Sequence, residues 1–175
     1  MRPILALLSL LIALIAASAS AATPCTGFKW DVSKELALFD GASVALSAGK
    51  NGGSAPTVGM DRLYQLQLLP QAAVAFAMTP GKSTATDGAY AGLAKLKLHA
   101  PGSYRVAVDA PLWIDVVSNG KLATATDFQG SQSCDGPHKI VEFDLTGSTR
   151  FVLQISGSAK AAVRLTVTRT PARKL

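Results

Sequence analysis

The stock of metal-ligating side chains in these 175 residues is small: two histidines, eleven carboxylates and two cysteines. Metal catalysis needs several such groups converging around an open coordination position. His99 and His138 fall on different predicted strands and form no HxH, HxxxH or HExxH spacing. Together with Glu142 or Asp135 they would serve dioxygenase- or hydrolase-like chemistry only if folding brought three of these groups together. His99 shares a polar strand face with Lys95 and Lys97, which reads as surface instead. Nucleophilic chemistry is no better marked. There is no G-x-S-x-G elbow, and S-x-x-K occurs at Ser47 to Lys50 and at Ser118 to Lys121, both in predicted turns rather than at a helix start. Gly81-Lys82-Ser83 has the end of a phosphate-binding loop, but Phe76 stands where its first glycine belongs. The sequence therefore assigns no catalytic residue, no metal ligand and no cofactor. It reads as a binding chain, with the small metal-dependent enzyme built on His99, His138 and a carboxylate as the alternative.

Binding chemistry is concentrated in two places. In Trp113-Ile114-Asp115-Val116-Val117, Leu112, Ile114 and Val116 supply one strand face, while Trp113, Asp115 and Val117 share the other. Trp113 is either packed under a loop beside a hydrogen-bonded Asp115 or a platform for a sugar ring or a partner's aromatic side chain. The second place is the loop from Gln129 to Lys139, which gathers Gln129, Gln132, Asp135, His138 and Lys139 around Cys134. It is either a stapled connection or a binding loop, and rigidity would serve the latter.

The compartment follows from the first residues. Arg2, the apolar run Ile4 to Ala17 and the small residues Ala19-Ser20-Ala21 have the layout of a signal peptide cleaved near Ala21-Ala22. The apolar run is short for a transmembrane span, so the mature chain is expected without one, in the periplasm or secreted. There, Cys25 and Cys134 are expected to form one disulfide. Closing a loop of about a hundred residues would contribute at most about 4.7 kcal/mol. Ala22-Thr23-Pro24 is a poor lipidation signal before Cys25. The net charge of +6 is concentrated in Arg164, Arg169, Arg173 and Lys174, leaving a nearly neutral body. Basic residues without interleaved aromatics, in this compartment, argue against nucleic acid. An envelope polysaccharide or another envelope protein is the expected partner.

The elements that must position these groups are strands. Residues 22–35 read as irregular chain carrying Trp30, and Asp31 or Ser33 is placed to cap a short helical turn through Leu36 and Phe39, ended by Gly41. Period-two alternation follows at Val44 and Leu46; at Tyr64, Leu66 and Leu68; and, after Pro70, at Val74, Phe76 and Met78. It continues at Leu96 and Leu98, at Tyr104, Val106 and Val108, and at Leu112, Ile114 and Val116. The last sets are Val141, Phe143 and Leu145; Phe151, Leu153 and Ile155; and Val163, Leu165 and Val167. Asn119-Gly120 is a strong hairpin signal. Roughly eight or nine short strands predict an all-β fold, an antiparallel β-sandwich of jelly-roll type, with a partly closed barrel as competitor. One domain spans 22–170, and 171–175 form a basic tail.

The run Pro101 to Asp109, with Trp113-Ile114-Asp115-Val116 and Asn119-Gly120-Lys121, resembles bacterial secreted jelly-roll modules of the pre-peptidase C-terminal and PA14 types. The Lys29-Trp30-Asp31-Val32 start is similar to that of small proteobacterial secreted proteins. The resemblance covers residues 100–168 and implies a fold more than an activity.

Overall fold

Alternation along the chain becomes two packed β-sheets in the computed structural model, which describes residues 25–84, 86–134, 136–146 and 150–171. The expected leader at 1–21, Asp135 and the tail residues Arg173 and Lys174 lie outside the described residues. In chain order the elements are α1 (Ser33–Phe39), β1 (Val44–Ser47), β2 (Thr57–Gly59), β3 (Tyr64–Gln67), β4 (Leu69–Pro70), a 3-10 turn (Gln71–Ala73) and β5 (Tyr90–Lys97). Then come β6 (Gly102–Val108), β7 (Trp113–Ser118), β8 (Lys121–Leu122), β9 (Ala125–Gly130), β10 (Lys139–Leu145), β11 (Phe151–Ser158) and β12 (Ala162–Arg169).

The first sheet runs β1-β3-β12-β6-β10-β9 and the second β2-β5-β11-β7-β8, with β4 also paired to β5. Taking β3, β5, β6, β7, β8, β10, β11 and β12 as first to eighth, the first sheet contains the order first, eighth, third, sixth. The second contains second, seventh, fourth, fifth. That wrapping is a jelly roll. The pairing is antiparallel except at two sheet edges, where β1 lies parallel to β3 and β2 parallel to β5.

The apolar triplets face one another as their spacing requires. Tyr104, Val106 and Val108, Leu112, Ile114 and Val116, Val141, Phe143 and Leu145, Phe151, Leu153 and Ile155, and Val163, Leu165 and Val167 all belong to the core between the sheets. Each such side chain contributes about 1.5–3 kcal/mol by leaving water. The β7–β8 hairpin turns on Asn119 (φ 51) and Gly120 (φ 69), the pair of positive φ values that a two-residue turn needs to match strand twist.

Both sheets are also covered on their outer faces, which single-face alternation does not predict. Over the first sheet lie the N-terminal segment and α1, where Val32 and Phe39 pack with Leu63, Ala107 and Ile140, flanked by Phe28, Trp30 and Leu36. Asp31 accepts from the Ser33 backbone N–H at 3.0 Å, just before the cap residue Val32. An ion cluster secures this layer. Buried Arg105 places Nε 3.3 Å from Glu142 Oε2 and Nη1 3.9 Å from Glu35 Oε1, and donates to the Asp31 carbonyl at 2.9 Å. The Trp30 ring lies 4.6 Å over its guanidinium, and Glu35 accepts from the Thr168 hydroxyl.

Three elements differ from expectation. Among the described residues twelve strands form rather than eight or nine, because β2, β4 and β8 are two- or three-residue pairings with too few residues to show a period. β9 is an edge strand whose exposed residues carry no apolar alternation. Val74, Phe76 and Met78 alternate but form no strand; after the turn at Gln71–Ala73 the chain runs irregularly across the outer face of the second sheet. Among the described residues no strand pairs with it; the Lys50 carbonyl takes the Ala75 N–H at 2.8 Å, and side chains partner Met78 and Gly81.

Candidate functional site

Alternation along β7 puts Trp113 and Asp115 on the outer face of the second sheet, opposite the core-facing Ile114 and Val116. Asp115 is buried and its carboxylate is fully engaged. Oδ1 accepts from Trp113 Nε1 at 2.9 Å; Oδ2 accepts from the Gly81 N–H at 3.0 Å and from Gln154 Nε2 at 3.4 Å. Gln154 stands directly across the ladder from Asp115 and is 1% exposed. Its amide brackets Met78 as a strand would: Oε1 accepts from the Met78 N–H at 3.3 Å, and Nε2 donates to the Met78 carbonyl at 3.0 Å. A buried amide in this position must find partners, and the 74–84 chain supplies them.

These tethers carry Lys82 to Trp113, with Nζ 5.8 Å from the ring centroid. From the other sheet, Lys139 opens β10, donates Nζ to the Leu112 carbonyl at 3.0 Å and lies 5.0 Å from the same ring. Burial and the neighbouring Lys82 charge hold the Lys139 ammonium below its usual value, with Asp115 acting in the opposite sense. Beside them β11 bulges at Gly157 (φ 70), whose N–H donates to Gln71 Oε1 at 2.7 Å. A side chain at Gly157 would put Cβ 2.7 Å from Thr84 Cβ, so glycine is needed there both for backbone shape and for space.

The result is an open cleft of about 610 Å³ between the two sheets at one end of the sandwich. Its walls are Trp113, Lys82, Thr84, Pro111 and Leu112 on one side. Phe128, Gln129, Gly130, Ser131, Gln132, His138 and Lys139 form the other. Phe128 is 68% exposed at the rim. The second wall is braced by the N-terminal segment: Lys29 N–H donates to Gln129 Oε1 at 2.6 Å, and Ser131 Oγ donates to the Thr26 carbonyl at 2.8 Å. Cys25 is half-buried and Cys134 buried, and no disulfide joins them in the structure.

Of the residues expected to bind, Trp113, Gln129, Gln132, His138 and Lys139 come together in this cleft, uniting the two places singled out in the sequence. Asp115 lies behind the ring as its support, and Asp135 is outside the described residues. Phe128 was not signalled, and Lys82 stood out only in an incomplete phosphate-loop pattern. Lys82 belongs to a loop whose course depends on Gln154 and Asp115, and Phe128 sits in a strand without a pattern. The metal-site alternative is not assembled. His99 is exposed just before β6 begins, whereas the His138 N–H bonds Val108 at the far end of β6, roughly 20 Å away at the rise of a strand. Glu142 is held in the Arg105 cluster. Among the described residues no three His, Cys, Asp or Glu side chains are grouped to hold a metal ion, and no helix is long and apolar enough to cross a membrane.

No protein-family model matches this sequence, and no curated protein matches it.

Proposed function

We propose that this chain is an exported β-sandwich, periplasmic or secreted, that binds carbohydrate of the cell envelope at the Trp113 cleft without catalysing a reaction on it. The observation that carries the reading is the convergence of one indole ring, two side-chain amides (Gln129 and Gln132), His138 and two ammonium groups on a single open cleft. Sugar rings offer an apolar C–H face for an aromatic platform and a perimeter of hydroxyls for directional polar groups. This cleft has both. Its ring is held in place by Asp115, so little side-chain freedom is lost when a ligand stacks on it. The Ile4–Ala17 run and the small residues before Ala22 support export.

Oxidation would complete the site. Contacts at Thr26 and Lys29 already lay the N-terminal segment along the 129–134 loop. In an oxidising compartment a Cys25–Cys134 disulfide would lock that wall.

The test is calorimetric titration of the mature protein with soluble wall oligosaccharides. Binding is expected in the wild type, with Trp113→Ala weakening it at least about tenfold, since loss of a buried aromatic anchor commonly exceeds 1.4 kcal/mol. Silence across the saccharides, or binding indifferent to Trp113→Ala, would sink this reading.

A further inference from the structure

Two lysines and a tryptophan make an unusual sugar platform, because neither cation forms an ion pair among the described residues. Lys82 and Lys139 approach the same ring, yet no described carboxylate lies within ion-pair distance of either. Asp115, the nearest acidic group, is fully occupied behind the ring by Trp113, Gly81 and Gln154. None of the cleft's described lining residues is an aspartate or glutamate. Like charges brought together at a partly dehydrated surface are held there at a cost unless something else uses them. Lys139 is fixed by the Leu112 carbonyl and Lys82 by the loop tethered to Asp115 and Gln154. The Lys139 charge is therefore held at Trp113, and the tethered loop keeps the exposed Lys82 side chain within reach of the same ring.

We infer that the cleft selects a carboxylate-bearing saccharide, its carboxylate received between the ammonium groups of Lys82 and Lys139 at Trp113.

This deepens, and rests on, the carbohydrate reading above. The charge fits a monoanion. Two ammonium groups set against the Asp115 carboxylate leave about one positive charge uncompensated, which one carboxylate neutralises. A phosphate would be served better by an arginine fork or a row of backbone N–H groups. The described lining contains no arginine. Both Nζ atoms lie over the Trp113 ring, 5.8 and 5.0 Å from its centroid, so an acid group brought against the indole meets the two cations there. Gln129, Gln132 and His138 are then left to face hydroxyls along the opposite wall.

The experiment is a titration of the full mature protein with a galacturonate trisaccharide, its methyl ester, a neutral trisaccharide of equal length, and galacturonate-free acetate and inorganic phosphate. The acid is expected to bind at least about tenfold more tightly than the ester, with an affinity that falls as salt rises. Lys82→Met and Lys139→Met are each expected to bring the acid-to-ester ratio toward one. Lys82 is on an exposed loop, so its substitution keeps the test open even if Lys139→Met impairs folding. Equal affinity for acid and ester would overturn the inference while leaving a neutral-sugar module standing. Binding of acetate or phosphate as tight as that of the acid would overturn it in favour of a simple anion site. No saccharide binding at all would remove both this inference and the reading beneath it.

Discussion

Lys139 shows what a partly buried cation costs the fold. Its ammonium is partly buried, faces Lys82 and is held below its ordinary value of 10.5, chiefly by desolvation. A base with a lowered folded-state value binds fewer protons folded than unfolded between the two values, so stability rises with pH across that interval. The wild type is therefore expected to gain stability as pH climbs toward 10.5, and Lys139→Met to lack that gain. At neutral pH the variant should lie within about 1 kcal/mol of the wild type, because methionine keeps the stem and discards the charge but gives up the hydrogen bond to the Leu112 carbonyl. Urea unfolding at neutral and alkaline pH checks this; a variant clearly weaker at neutral pH, or one with the wild-type pH slope, would contradict it. A bound carboxylate favours the charged form and reverses the penalty. At this scale Trp113 was readable, since an aromatic on the polar face of an alternating strand is conspicuous. The role of Asp115 was readable only as a pair of alternatives, and the three donors that converge on it come from positions 81, 113 and 154, which nothing in the sequence connects.

Strands were legible wherever one face alternates, because burial of every second side chain is imposed by the pleat. The alternation of Val74, Phe76 and Met78 misled for a physical reason: a strand also needs a backbone partner. Here the Gln154 side-chain amide takes that place at Met78 and leaves the chain free to curve toward Trp113. β9 was illegible for the converse reason: it has a backbone partner in β10 but buries almost nothing. The tether can be tested. Gln154→Leu keeps the volume of the side chain but deserts the Met78 N–H and C=O and one Asp115 oxygen. Unpaired buried groups of this kind cost about 1–3 kcal/mol. The variant should keep its β-sheet signature by circular dichroism, lose stability in that range, and become sensitive to proteolysis between Thr79 and Thr84. It should also lose saccharide affinity, because Lys82 travels with the loop. Intact protection of 79–84 in a folded variant would show that the loop is held by other contacts.

At the scale of the molecule, the jelly roll carries a third layer, and the cleft depends on how firmly that layer is fastened. Two sheets alone would leave the outer face of the first exposed; residues 28–39 cover it with Val32, Phe39 and their neighbours, and Arg105 binds Glu35 and Glu142 across the seam. A buried ion cluster of this kind is a poor source of net stability but a costly one to break, so it fixes the placement of α1 more than it strengthens the whole. The fastening at the other end of the layer is lighter: Thr26 and Lys29 each make one hydrogen bond to the loop that walls the cleft. A Cys25–Cys134 disulfide, as proposed for the oxidised protein, would act at that weak end. Oxidised protein is expected to yield a single linked peptide containing both cysteines, and its reduction to cost up to about 4–5 kcal/mol, the chain-entropy value for closing a loop of this length. Since Arg105 and the apolar cluster hold residues 28–39 independently, the reduced protein should remain folded. The loss should appear as faster amide exchange at 26–29 and 129–134, with weaker saccharide binding through the loosened Gln129 and Gln132 wall. Quantitative alkylation of both cysteines in unreduced, exported protein would exclude the bond.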